Sequence, residues 1–78
     1  MHEIIFVVDD QQFLVHGSSI LRGDFIISIM FSEIESGEVE PITSLESKFY
    51  NMINSELQNN LELYRKVLNR YKKLIAFI

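Results

Sequence analysis

The chain has no cysteine and no tryptophan, and only one proline and three glycines in 78 residues. Without cysteine there is no disulfide framework and no thiolate metal site, so an apolar core must supply the stability. No uninterrupted apolar run exceeds five residues (4–8, Ile-Ile-Phe-Val-Val), far below the roughly 20 that a membrane-spanning helix needs. The amino terminus carries His2 and Glu3 rather than a basic leader region, and no small-residue cleavage site follows. Basic side chains are nearly missing from the first half. Up to residue 47, nine acids (Glu3, Asp9, Asp10, Asp24, Glu33, Glu35, Glu38, Glu40 and Glu46) face Arg22 alone. These absences predict a soluble cytoplasmic protein with no membrane contact and no cofactor.

What is present is strongly polarised. The formal net charge is −4, yet from Arg65 onward there are five bases and no acid. Each half therefore has to be judged separately. A chain of this length forms one domain, 1–78, with 1–42 reading as strands and 43–78 as helix. Such a domain buries roughly 60–65% of the surface its unfolded form exposes, so its core is only just adequate. Small unstapled domains often gain stability from a partner subunit.

Residues 3–8 are β-branched and aromatic, and end at the polar break Asp9-Asp10-Gln11-Gln12, which predicts a hairpin. Residues 13–16 form a second short strand closed by Gly17-Ser18-Ser19. After Arg22-Gly23-Asp24, residues 25–32 alternate, with Phe25, Ile27, Ile29 and Phe31 on one face and Ile26, Ser28, Met30 and Ser32 on the other. That period of two is what a half-buried antiparallel strand requires. Glu35-Ser36-Gly37-Glu38 then reads as a turn leading to a fourth strand, 38–42, which Pro41 confines to an edge. Short links make an antiparallel meander of three to four strands the economical topology.

Past Pro41 there is neither glycine nor proline for 37 residues. Thr43-Ser44-Leu45-Glu46 has the form of a capping box and predicts a helix start. Leu57, Leu61, Tyr64, Leu68, Tyr71, Ile75 and Ile78 then recur at steps of four and three, a helical seam. Ser55-Glu56-Leu57-Gln58 has the form of a second capping box. Two readings therefore stay open, one long C-terminal helix, straight or bent, and a helical hairpin. A single 35-residue helix would span roughly 50 Å, against about 17–24 Å for the strands it must cover. It would overhang the sheet and leave the seam bare, which predicts a homodimer joined through that seam. The hairpin removes this need. In a paired arrangement the basic segments favour antiparallel helices, which bring them near Glu46, Glu56 and Glu62 of the partner.

Three constellations are candidates for function. Lys66, Arg70 and Lys73 line one helix face, with Arg65 and Lys72 beside them; this ridge could track phosphates of a nucleic acid or simply be a solvated face favoured by the helix dipole. Glu33, Glu35, Glu38 and Glu40 would share one face of a hairpin turning at Ser36-Gly37, a patch that suits a basic protein partner. His16 with Asp9 and Asp10 is the third, but a hairpin puts them at opposite ends, which argues against a dyad or a metal triad. Tyr64 and Tyr71 sit seven apart in the seam, where core or interface rings are expected before base-stacking platforms. Leu63 and Phe77 fall off the seam and widen the apolar surface. The chain contains no nucleophile elbow, phosphate-binding loop, dinucleotide fingerprint or zinc-protease helix.

The sequence thus predicts an α+β fold, an antiparallel meander followed by a long C-terminal helix or helical hairpin packed on one face. Its expected role is a non-catalytic protein–protein interaction module, a homodimer docking a basic partner through acidic residues. Inhibitor, antitoxin or immunity-type roles fit that profile by analogy of size and charge alone. A nucleic-acid-associated regulator using the basic ridge is the alternative.

Overall fold

The computed structural model describes residues 3–22, 25–40 and 47–77. Its elements run β1 (Glu3–Val8), β2 (Gln11–His16), β3 (Ser19–Arg22), β4 (Phe25–Met30), α1 (Phe31–Ser36), α2 (Ser47–Asn59) and α3 (Leu61–Ile75). The four strands form one sheet in the order β1-β2-β3-β4, each pair antiparallel. The helices follow, so the chain is an α+β fold with a meander.

The turns show why the strands meet where they do. Asp9 and Asp10 both take positive φ, 50° and 65°, the pattern of a two-residue turn whose twist suits a hairpin. Gly17, at φ 60°, opens the next tight turn, where a side chain would be disfavoured. With these turns set, Ile4, Val15, Ile20 and Ile29 fall opposite one another across the whole sheet. Phe6 pairs with Phe13 on the same face. That face is buried, while Glu3, Ile5 and Val7 alternate outward.

β3 is absent from the sequence expectation, which assigned no strand between Gly17-Ser18-Ser19 and Arg22. Its four residues, Ser-Ile-Leu-Arg, are too few to display a period. The strand expected over 25–32 ends at Met30 instead. Phe31 N–H donates to the Ser18 carbonyl at 3.0 Å, and Met30 N–H donates to the Glu33 carboxylate at 2.7 Å. The first is the next rung of the β3–β4 ladder after Ser19 and Met30; the second caps the helical turn that starts there. Gly37 closes it at φ 76°, its N–H donating to the Glu33 carbonyl. Hence 35–38 is not a hairpin turn, and 38–40 carries no strand; Pro41, Ile42 and the 43–46 capping box lie outside the described residues.

The helical half is divided at Asn60, whose φ of −130° and ψ of 30° leave the helical region. Its side-chain amide donates to the Glu56 carbonyl at 3.2 Å, and its own carbonyl accepts from Tyr64 N–H at 3.0 Å. Asn60 thereby closes one helix and opens the next, as its competing polar side chain allows. The break falls beyond the second capping box, whose Ser55 to Gln58 lie inside α2. α3 is left with 15 residues, about 22 Å at 1.5 Å each, a length matched to the strands.

α3 packs against β1 and α1, and α2 against β4. Leu63, Tyr64, Val67, Leu68 and Tyr71 of α3 join Phe6, Phe13, Val15, Ile20 and Ile29 in one core, together with Ile34 and Leu57. Tyr64 meets Phe13 edge-on at 5.9 Å between ring centres. Phe31 meets Tyr71 at 5.5 Å. No helix among the described residues is long and apolar enough to cross a membrane.

Candidate interaction surfaces

The seam read from the sequence is mostly core. Leu57 and Tyr64 have no exposed surface, and Leu68 and Tyr71 are buried. Leu61 is half-buried against the same cluster. Only Ile75 of the described seam residues stands well exposed, and Ile78 lies outside the described residues. The break at Asn60 is the physical reason. A shorter α3 fits over the sheet, so the overhang that called for a second copy does not arise.

The acidic residues are not on a hairpin face. Glu33 and Glu35 belong to α1, while Glu38 and Glu40 follow it in an irregular segment. Glu33 holds the start of α1 through Met30 N–H, and Glu35 pairs with Lys72 at 3.2 Å. Glu38 and Glu40 are exposed without an ion partner among the described residues.

The basic ridge lies on the solvent side of α3, and its ends lean in opposite directions. Lys72 reaches across to Glu35 of α1. Lys66 reaches the other way, to Asp9 at the end of β1, also at 3.2 Å. Both pairs are exposed, so each is worth about 0–1 kcal/mol. Arg65, Arg70 and Lys73 have no ion partner among the described residues. A shallow groove is lined by Lys66, Asn69, Arg70, Lys73, Leu74 and Phe77, and the Phe77 side chain is 90% exposed.

The hairpin separates His16 from Asp9 and Asp10: His16 sits opposite Glu3, and Val8 opposite Gln11 at the turn. His16 Nε2 lies 3.8 Å from Glu3, an exposed and weak pairing. Among the described residues no three His, Cys, Asp or Glu side chains gather in a metal-binding group.

Two features escape the sequence reading. At the rim of the core, Glu56 of α2 pairs with Arg22 of β3 and accepts from the Tyr64 hydroxyl at 3.1 Å, linking three elements through one carboxylate. Burial raises the Tyr64 pKa above its usual value, partly countered by the nearby Arg22 charge. The second feature is the outer face of the sheet. Ile5, Leu14, Leu21 and Ser28 are in register across it. Ile5 is 61% exposed and Val7 54%, while Leu14 and Leu21 are half-buried. The continuous apolar run 4–8 was the available signal, because an edge strand with one wet face would ordinarily alternate.

β1 is also an edge of the sheet. In a two-residue hairpin the flanking pair, here Val8 and Gln11, exchanges hydrogen bonds. Counting back by twos, Val8, Phe6 and Ile4 bond to β2, whereas the N–H and C=O groups of Glu3, Ile5 and Val7 point out of the sheet. Compared with known proteins, the chain matches no family model, no curated protein and no solved structure.

Proposed function

We propose that the chain is a non-catalytic protein–protein interaction module. The observation that carries this reading is the exposed apolar patch of Ile5 and Val7, continued by Leu14 and Leu21. Exposed apolar patches rimmed by polar residues mark contact surfaces, and the side chains of Ile5 and Val7 contribute nothing to the chain's own core. Self-association would use this face rather than the helical seam, whose residues are already spent inside the chain. A basic partner would meet Glu38 and Glu40, two exposed acids of the expected patch that have no ion partner among the described residues.

Replacing both Ile5 and Val7 by threonine keeps β-branched strand formers and removes apolar area. Cross-linking of the wild type and this variant to co-purifying proteins, with light scattering for self-association, tests the reading. Loss of the cross-linked species at unchanged thermal midpoint is expected. An identical cross-linking and mass profile for both proteins overturns the use of this face.

A second reading, nucleic-acid binding by the basic ridge, draws support from Arg70 and Lys73 beside the exposed Phe77 ring, since cations with a stacking aromatic suit a single strand. It predicts that affinity for a single-stranded oligonucleotide falls with a log–log salt slope of about −0.7 for each phosphate contact. Arg70→Glu with Lys73→Glu should remove about two contacts from that slope. Absence of binding at low ionic strength ends this reading.

A further inference from the structure

We propose that the open edge of β1 takes an extended, acidic segment of a partner protein as a fifth strand. The inference deepens the interaction-module reading and rests on it. The main-chain groups of Glu3, Ile5 and Val7 form a ladder along this edge that no strand among the described residues pairs with, the feature that strand addition uses for affinity. Native edges are commonly blunted by lysine, proline or a bulge. β1 has none of these, and its β1–β2 register runs unbroken from Glu3 to Val8.

The neighbouring helix supplies the chemistry of the occupant. Two ion pairs fix how α3 is turned: Lys72 faces α1 through Glu35, and Lys66 faces β1 through Asp9. Arg70, four residues after Lys66, lies on the same flank of the helix and is exposed. A strand added beside β1 alternates its side chains. One set would lie beside Ile5 and Val7 on the outer face. The other set would point toward the helix layer, on the flank that carries Arg70 and Lys66, the latter already shared with Asp9. Acidic residues at alternate positions complement them, while basic residues would be repelled. A second copy pairing through β1 would bring two such basic flanks together, so it is disfavoured as the occupant.

The probe is a blocked, fluorescein-labelled octapeptide alternating glutamate and valine, measured by anisotropy against the full chain. Binding is expected, and should weaken about tenfold on changing glutamate to lysine. N-methylation of the peptide amides that face β1 should abolish it, with the protein unaltered. Ile5→Pro removes one outward N–H and no bond to β2, so it should weaken binding while the thermal midpoint stays close to wild type. Unchanged affinity of the N-methylated peptide, or binding lost in Lys66→Glu with Arg70→Glu yet kept in Ile5→Pro, overturns strand addition. So does a dimer that Ile5→Pro converts to a monomer. Failure of every peptide, alongside cross-linked partners that survive Ile5→Pro, sinks this inference and spares the broader reading.

Discussion

Tyr64→Ala should cost about 3–5 kcal/mol, as loss of a large buried aromatic does. A domain of this length has about 4–12 kcal/mol in all, at 0.05–0.15 per residue, so the variant should be largely unfolded in mild urea. The cost has three sources. The ring is wholly buried, its edge-to-face contact with Phe13 is lost, and Glu56 loses a donor. Urea unfolding followed by circular dichroism measures it. A loss below about 1 kcal/mol would contradict the packing described. Tyr64→Phe keeps the ring and separates out the hydroxyl. Because burial raises the folded-state pKa of Tyr64, its protonated form is favoured in the native state. That stability is fully present below the unfolded value of about 10, and is lost as pH rises through the raised folded pKa. The wild type should therefore weaken above about pH 10 more steeply than Tyr64→Phe.

The second large effect concerns Glu56. Its side chain is 19% exposed and that of its partner Arg22 24%, so the pair is mostly screened from water. Glu56→Leu would strand the guanidinium and the Tyr64 hydroxyl together at the rim of an apolar core. Breaking a fully buried pair costs about 3–5 kcal/mol; the partial exposure here brings the expectation to about 2–3 kcal/mol. Replacing both partners, Arg22→Met with Glu56→Leu, should recover most of the loss, because no charge is then left unpaired. A double-mutant cycle by thermal unfolding gives the coupling directly. If the single variant matches the wild type within about 0.5 kcal/mol, the pair is ornamental rather than structural.

The hairpin at Asp9-Asp10, the alternation of Ser28 to Met30 and the helical stripe from Leu57 to Tyr71 could all be read from local pattern, because each follows from a period or a turn dipeptide. The remainder left weaker traces or depended on tertiary contacts. The alternation of β4 carries on only through Phe31 and Ser32, Ile34 breaks it, and the Glu33 carboxylate on Met30 N–H caps α1. The motif at Ser55 pointed to a split earlier than Asn60, where the structure places it. The acidic and basic residues could be counted along the sequence. Their partners were not visible, since Lys66 with Asp9 and Lys72 with Glu35 join positions 57 and 37 residues apart. The exposure of Ile5 and Val7 depended on which face of the sheet the helices would choose.

The order of the elements along the chain has a consequence during synthesis. All four strands precede the helices that cover them, so the inner face of Phe6, Phe13, Val15, Ile20 and Ile29 can form before its lid has been translated. At about 5–20 residues per second, α3 follows β4 by seconds, ample time for a meander closed by tight turns to pair. Until α3 arrives, the nascent sheet is apolar on both sides. The charged ridge that the mature protein displays is also what arrives last, together with the residues that end this exposure.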